Sequence, residues 1–288
     1  PNLPKPNKST LAEDWQYGYR KLWKKKSYRG PFGVAYDALD DFSGHRRLNF
    51  RRDHIAVMDI PPTFDPDSGR ICQVKGFGDW AWARRHGKLV HDDGGDVMVN
   101  CNLEYAMMFC APYCDVIFRE RSLLDNDEEK LSVHRMLVGS KPFCFVGKGL
   151  HEATRNTIEQ MAERALLFAM GPGKNADKSY LKRMMPVLQR TASAGWQPVM
   201  HASAKGLCVE RFGSRRGRLF FTIRNTSRRT VRSDLCIDAK ALGLKAAGKP
   251  LDVSCLHGEE AGEFTTQKGA CRGEVSVRPG RTVVLAVR

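Results

Sequence analysis

The sequence has no apolar run long enough to cross a bilayer. A membrane-spanning helix needs about 20 apolar residues in succession, and the longest candidate, Tyr105 to Phe118, is interrupted by Pro112 and Asp115. We expect this segment to form protein core, with no membrane partner. Residues 1–10 are polar and proline-rich, with no secretory apolar region and no initiator Met. They predict no signal peptide and a processed or truncated chain, and they leave the localisation open.

Closely spaced cysteines are also scarce. The chain has nine cysteines, of which Cys110 and Cys114 form the one close pair. A structural zinc site normally needs two pairs of closely spaced ligands, and Cys110 with Cys114 supplies only one pair, at an unfavourable spacing. Several others, such as Cys144, Cys208 and Cys236, lie in apolar runs, where a thiol behaves as a small hydrophobe. We expect mostly reduced, buried thiols, no metal and no cofactor.

Acidic residues are outnumbered, and the formal net charge is +15. From residue 201 onward there are 17 Lys or Arg against 8 Asp or Glu, so +9 of the charge lies in the last third of the chain. A chain this basic can bind nucleic acid or a polyanionic substrate. Because no helix-turn-helix, zinc-finger or RNA-binding signature accompanies it, a solvated basic surface is favoured over a nucleic-acid partner.

Two apolar segments each end in a carboxylate. Residues 32–37 have the character of a buried strand ending in Asp37, and residues 114–120 repeat the design with Glu120. In a barrel of parallel strands the carboxyl ends carry the chemistry, because the loops there converge on a substrate. Paired carboxylates are what glycoside hydrolysis requires. The alternative is that each acid caps the next helix or binds a loop amide.

Other polar residues lie close to predicted strand ends. Asn100 ends the predicted strand 96–100. Its amide could bind a sugar hydroxyl, orient a carboxylate, or simply bridge loops. Asp40, three residues beyond the strand that ends at Asp37, is a reserve acid and a candidate substrate ligand. Asp115 is a second reserve acid, but its early place in its strand predicts that it faces the opposite end.

Two further candidate substrate ligands are a lysine and a tryptophan. Lys141 opens a predicted strand over residues 141–147. Trp80 belongs to a predicted helix over residues 77–89, in which apolar residues recur at helical spacing. The ring of Trp80, or that of Trp82, could stack on a sugar, and packing in the core is the alternative for both.

The pattern changes near Trp196. Before it, predicted strands alternate with helices at residues 132–138, 156–170 and 178–193. After it, short alternating runs are separated by turns, which is typical of an antiparallel β-sandwich. The runs cover residues 207–212, 218–225, 231–237, 251–256, 273–277 and 282–287. The predicted fold class is α/β, a partial (β/α) barrel over residues 1–195 followed by an all-β sandwich over residues 196–288.

This succession resembles the second half of a (β/α)8-barrel glycoside hydrolase of the α-galactosidase-like kind, with its C-terminal β-sandwich. The segments 33–37, 48–52, 63–65 and 194–199 look like poorly characterised bacterial glycosidase-like proteins. In that group the nucleophile closes the fourth barrel strand and the acid/base closes the sixth. The resemblance therefore implies that Asp37 is the nucleophile and Glu120 the general acid/base of a retaining enzyme acting on a carbohydrate.

The sequence departs from that group in its number of strands. Only four or five barrel strands can be found, so the first three are expected to come from an absent N-terminal segment. Three hypotheses stay open: a glycoside hydrolase or its C-terminal portion, a non-catalytic carbohydrate-binding homologue, and a basic interaction module for nucleic acid or another anionic polymer.

Overall fold

The computed structural model describes residues 33–36, 48–56, 60–100, 105–119, 123–145, 154–171, 178–214, 218–244, 251–259 and 261–287. The chain divides into two compact units, residues 1–116 and 117–288. The structure is of the mixed α/β type and contains several antiparallel sheets. Within the described ranges, no helix combines the length and the apolar character that a membrane crossing requires.

The first unit contains short strands and one long helix. Its elements are β1 (Gly33–Tyr36), β2 (Leu48–Asn49), α1 (Arg52–Ile55), β3 (Thr63–Phe64), β4 (Ile71–Val74), α2 (Lys75–Asp92), β5 (Asp96–Asn100) and a 3₁₀ segment (Tyr105–Tyr113). The predicted helix over residues 77–89 is confirmed within the longer α2, and the predicted strand over residues 96–100 is confirmed as β5.

Strands β1 and β5 pair in parallel, from Gly33 opposite Asp96 to Tyr36 opposite Val99. A Cβ atom on Gly33 would lie 3.1 Å from the Asp96 carbonyl oxygen, which explains the small residue at this position. Helix α2 lies against β5 and the 3₁₀ segment. A Cβ on Gly87 of α2 would lie 2.7 Å from the Tyr113 carbonyl oxygen, so the helix approaches that segment closely only because residue 87 is glycine.

Strand β4 pairs antiparallel with both β2 and β3. In the second pair, Phe64 lies opposite Ile71, and both side chains are exposed. The proline, glycine and aspartate content of residues 61–69 predicts a loop, and this prediction is wrong at Thr63–Phe64. The composition of residues 61–69 favours a turn, and the short strand at its start forms because β4 supplies a partner.

The second unit begins within β6 (Val116–Arg119) and continues with a β/α portion. Its elements are a 3₁₀ turn (Leu123–Asp125), α3 (Glu128–Val138), β7 (Phe143–Phe145), α4 (Arg155–Phe168) and α5 (Lys178–Ala194). Strands β6 and β7 are parallel, with Ile117 opposite Phe143 and Arg119 opposite Phe145. Helices α3 and α4 begin at N-caps whose side chains accept backbone N–H bonds, Asp127 from Lys130 and Thr154 from Thr157.

From Trp196 the described strands are antiparallel. They are β8 (Trp196–Gln197), β9 (Ala202–Ala204), β10 (Cys208–Phe212), β11 (Leu219–Arg224), β12 (Val231–Asp238), β13 (Val253–His257), β14 (Thr265–Gln267), β15 (Ala270–Val277) and β16 (Thr282–Val287). Each of the six predicted runs contains a strand. The sequence pattern missed β8, β9 and β14, because two or three residues are too few to show alternation.

These strands form two sheets, in the orders β13-β16-β11-β10-β8 and β14-β15-β12-β9. Both sheets contribute to one apolar core, in which Phe221 and Leu285 of the first meet Leu235 and Val275 of the second. The opposite face of the first sheet, including Phe220 and other residues of β10, β11 and β16, packs on helices α4 and α5. The first sheet is therefore a middle layer that is buried on both faces.

Polar contacts join this middle layer to helix α4. The Glu163 side chain is buried and accepts hydrogen bonds from the Thr282 backbone N–H at 2.7 Å and from Arg281 at 3.2 Å. His257 lies 3.3 Å from the same carboxylate. The hydroxyl of Thr222 donates to the Leu167 carbonyl oxygen at 2.6 Å. A buried charge needs such partners, because desolvation alone would make it strongly destabilising.

Candidate functional site

One candidate region, in the first unit, is the carboxyl end of the parallel pair β1 and β5. The register puts Tyr36 opposite Val99, so the two strands end at the same edge. Asn100, the last residue of β5, is buried there, with 5% of its surface exposed. Asp37 follows Tyr36 in sequence, and both Asp37 and Asp40 lie outside the described residues. Their predicted roles stay predictions.

Three aromatic side chains meet at the end of β1. The Tyr36 hydroxyl lies 2.5 Å from Nδ1 of His86 on helix α2. The ring of Trp82 meets Tyr36 edge to face with a centroid distance of 4.6 Å and stacks on His86 at 5.1 Å. Burial lowers the pKa of His86, because an imidazolium loses its hydration inside the protein. A neutral imidazole therefore supports the residue that directly precedes Asp37.

Trp80, a predicted sugar platform, has neighbours of its own. Its ring meets Tyr113 edge to face at 6.5 Å, and the Arg84 guanidinium lies over it at 5.6 Å from the centroid. A cation over the ring face is itself a stabilising contact. Trp82 packs in the Tyr36 cluster, in line with the alternative of core packing. Stacking on a sugar by Trp80 stays a prediction.

A separate candidate region, in the second unit, is the carboxyl end of the pair β6 and β7. Arg119 ends β6 and is 4% exposed. Its Nη1 lies 3.4 Å from Oδ1 of Asn126 and 3.3 Å from Nε2 of His134, both of which are also buried. Glu120 follows Arg119 in sequence and lies outside the described residues. A buried guanidinium is thus the immediate chain neighbour of the predicted general acid.

Lys141 lies at the opposite end of the same strand pair. It precedes β7, whereas Arg119 pairs with Phe145 at the carboxyl end of β7. Four residues of extended chain separate position 141 from position 145, which is about 13 Å along the strand. The structure therefore does not bring Lys141 to the edge where β6 ends, and its binding of the same substrate stays a prediction.

Asp115, a reserve acid, is engaged at the amino end of β5. Its carboxylate accepts a hydrogen bond from the Val97 backbone N–H at 2.7 Å and lies 2.7 Å from Nε2 of His91. Val97 is near the start of β5 and Asn100 is at its end. The prediction that Asp115 faces the opposite end is confirmed.

The described residues include no group of three or more His, Cys, Asp or Glu arranged to hold a metal ion. The described cysteines are free thiols, and several are buried. Burial raises the pKa of Cys110 to about 12, so this thiol is a poor nucleophile and a poor metal ligand at neutral pH.

Sequence reasoning missed Tyr36, His86 and Arg119. Tyr36 and His86 are 50 positions apart, and their contact depends on how α2 returns along the sheet. Arg119 was noted only as part of an apolar strand. The one local signal for it was a charged residue inside that strand, since Arg is almost never fully buried without partners.

No protein-family model and no curated protein matches this sequence. Among solved structures, the chain is similar to a GH30 endoxylanase from Clostridium papyrosolvens C71, with 9% identity, a TM-score of 0.37, and coverage of 72% of this chain and 58% of that one. It is also similar to a GH27 β-L-arabinopyranosidase from Geobacillus stearothermophilus, with 13% identity and a TM-score of 0.35. That match covers 78% of this chain and 65% of the other.

A third similar structure comes from Bacillus halodurans C-125 and is assigned as an α-N-acetylgalactosaminidase. It shares 9% identity at a TM-score of 0.37, with coverage of 78% of this chain and 66% of that one. The chain therefore spans about three-fifths to two-thirds of the length of these glycoside hydrolase structures.

Proposed function

We propose that this chain is the carboxyl-terminal part of a glycoside hydrolase, built as a partial (β/α) barrel over residues 1–195 and a β-sandwich over residues 196–288. The observation that carries the proposal is the parallel register of β1 and β5. Parallel strands present their carboxyl ends at one edge, where β/α enzymes bind and convert substrates. The residue after Tyr36 in sequence is Asp37, and the last residue of β5 is the buried Asn100.

The proposed chemistry uses two carboxylates. Asp37 attacks the anomeric carbon as nucleophile, while Glu120 protonates the leaving oxygen and then activates water. A retaining mechanism of this kind needs the two carboxyl groups about 5 to 5.5 Å apart. Asn100 hydrogen-bonds the sugar or the nucleophile. Asp40, Lys141 and Trp80 are the further proposed contacts to the carbohydrate.

The surroundings described above suit these roles. A nucleophilic carboxylate has to stay ionised. The residue that precedes Asp37 in sequence, Tyr36, is held by the contact of its hydroxyl with His86. A general acid must hold its proton near neutral pH. Position 120 is next to Arg119, whose guanidinium engages Asn126 and His134, and these contacts occupy part of its hydrogen-bonding capacity.

The test is hydrolysis of aryl glycosides by the full chain. The panel contains α-galactoside, β-xyloside, β-L-arabinopyranoside and α-N-acetylgalactosaminide. We expect Asp37→Asn to abolish turnover, and Glu120→Gln to lower kcat about 10²- to 10⁴-fold for substrates with poor leaving groups. Asp41→Asn removes one charge close by in sequence and serves as the matched control, for which we expect wild-type rates.

Two additional readouts separate the roles of the acids. Azide should rescue Asp37→Gly by forming a glycosyl azide, and Glu120→Ala should keep most of its rate on substrates whose leaving group needs no proton. If the wild-type chain binds sugars by calorimetry but hydrolyses none of them, the non-catalytic carbohydrate-binding homologue replaces the enzyme. Equal losses in the Asp37 and Asp41 variants would also contradict the mechanism.

A further inference from the structure

The outer face of the sheet β14-β15-β12-β9 carries a hollow at the tip of the hairpin formed by β14 and β15. Its volume is about 420 Å³, and it is lined by Thr265, Gln267, Lys268, Ala270 and Arg272. Sites for small molecules in proteins typically have volumes of about 300 to 1,000 Å³. The hollow is therefore large enough for a ligand the size of a sugar ring.

The register of the hairpin explains why the hollow forms. Gln267 lies opposite Ala270, and Thr265 lies opposite Arg272. Directly opposed residues share a face of a sheet, as do residues two apart along a strand. Cys271, between Ala270 and Arg272, is buried in the core on the other face. The four strand residues therefore share the outer face, and the small side chain of Ala270 leaves a space among longer neighbours.

The turn of the hairpin adds two lysines at one end of the hollow. Lys268 and Gly269 are its two central residues, with φ angles of 49° and 83°. Positive φ at both positions is what a two-residue type I′ turn requires. The backbone N–H of Lys240 donates to the Gly269 carbonyl oxygen at 3.0 Å. This bond ties the turn to the end of β12, so Lys240 and Lys268 flank the turn.

The polar side chains that line the hollow are open to a ligand. Thr265, Gln267, Lys268 and Arg272 are exposed, and none of their side chains makes a hydrogen bond or ion pair with another described residue. A guanidinium can bind a carboxylate through two parallel hydrogen bonds, and an ammonium adds a further charged donor. Hydroxyl and amide groups both donate and accept, which suits the hydroxyl groups of a sugar. Together these groups match a sugar that carries a carboxylate.

The acids around the hollow disfavour a polyanion. Asp238 lies opposite Ala270 on the neighbouring strand, and Glu274 lies two residues beyond Arg272 on the same face. A partner that is negative along its whole length would face these like charges, which disfavours association. Proteins that bind single-stranded nucleic acid also supply aromatic rings for stacking, and the described residues that line the hollow include none. A ligand with a single negative charge is therefore favoured.

We infer that this hollow is a binding site for an acidic sugar, a uronate, either free or as a residue of a glycan. The carboxylate pairs with Arg272 and Lys268, and the ring hydroxyls bond to Gln267 and Thr265. The inference does not depend on the proposed glycosidase activity.

The test is calorimetric titration of the full chain with D-galacturonate and with D-galactose, a neutral sugar with the same ring. We expect saturable binding of galacturonate with a Kd of about 1 mM or tighter. Galactose should bind at least about tenfold more weakly, because it lacks the charge-assisted hydrogen bonds. Trigalacturonate distinguishes the two sources of the ligand: a higher affinity than that of the monosaccharide identifies a glycan, and an equal affinity identifies the free sugar acid.

One pair of variants tests the charge. Arg272→Gln removes an exposed cation and should weaken galacturonate binding about tenfold. Lys182→Gln removes one positive charge from an exposed position on α5 and is the matched control. Its affinity for galacturonate should stay within about twofold of wild type.

A second pair changes the shape of the surface and keeps its charge. Ala270→Leu fills the hollow and should weaken galacturonate binding at least about tenfold, while the circular dichroism spectrum stays unchanged. Ser276→Leu places the same side chain on the same face of β15, about 20 Å along the strand, and is the control. Galacturonate bound near Asp37 would respond to neither variant.

Four results would overturn the inference. They are the absence of saturable galacturonate binding, equal affinity for galacturonate and galactose, equal losses in the Arg272 and Lys182 variants, and wild-type affinity in the Ala270→Leu variant. The third would mean that the sugar responds only to net charge. Displacement of galacturonate by a single-stranded oligonucleotide of higher affinity would also overturn it, in favour of nucleic acid.

Discussion

The parallel pair β1 and β5 and the middle sheet of the second unit bury their residues in different ways. All six residues of β11 are buried, as are all six of β16, and nine of these twelve side chains are apolar. In β1 only Tyr36 is fully buried, and the side chains buried beside it include His86 and Asn100. The middle sheet is stabilised mainly by apolar contacts on two faces, although it also buries Arg224 and Thr282, whereas the few side chains buried at the end of β1 include several polar groups.

This difference concerns how each region is stabilised. Burial of apolar area is non-directional, so it stabilises the middle sheet without demanding exact geometry. Buried polar groups cost stability unless each is satisfied, so each needs a specific partner, as Glu163 has at Thr282 and Arg281.

The largest effect is expected in the middle sheet. Phe221→Ala removes a ring that is 0% exposed between the two antiparallel sheets and should cost about 3–5 kcal/mol of unfolding free energy. Phe64→Ala removes the same ring from the first unit, where it is 66% exposed, and should stay within about 0.5 kcal/mol of wild type. Urea denaturation followed by circular dichroism measures both. Similar losses in the two variants would contradict the comparison.

An intermediate effect is expected at the joint between α4 and β16. Glu163→Gln keeps an acceptor for the Thr282 N–H but leaves Glu159 as the remaining charge partner of Arg281, and should cost about 1–3 kcal/mol. Glu129→Gln removes the same charge from an exposed position on α3 and is the matched control. The same urea titrations measure the two variants. If Glu163→Gln leaves the free energy of unfolding unchanged, hydrogen-bond geometry without charge is enough to hold the joint.

The smallest effect is expected at His86 and depends on pH. Its pKa is lowered in the folded state, so the unfolded chain binds a proton more tightly. Stability should therefore fall as the pH drops below about 6.5, the ordinary pKa of histidine. His86→Gln should reduce the change of unfolding free energy with pH. Urea titrations at pH values above and below about 6.5 measure this change. His54→Gln, at an exposed histidine of α1, is the matched control.

The sequence predicted regular elements well where their pattern is long. Alternation over Val231–Asp238 and Thr282–Val287 gave the strands, and helical spacing gave α2, α4 and α5. Strands of two or three residues, such as β3 and β8, were missed because they form only when a neighbouring strand supplies hydrogen bonds. For the candidate site, Asn100 at a strand end was predicted correctly as an element boundary.

By itself, the sequence determined which segments are apolar, which residues end the strands, and where alternation begins near Trp196. The tertiary structure alone decided which distant side chains meet. Glu163 and Thr282 are 119 positions apart, and Tyr36 and His86 are 50 apart. Local patterns report periodicity over one turn or one strand, whereas these contacts depend on the path of the whole chain, so burial and pairing at such a distance leave no local signal.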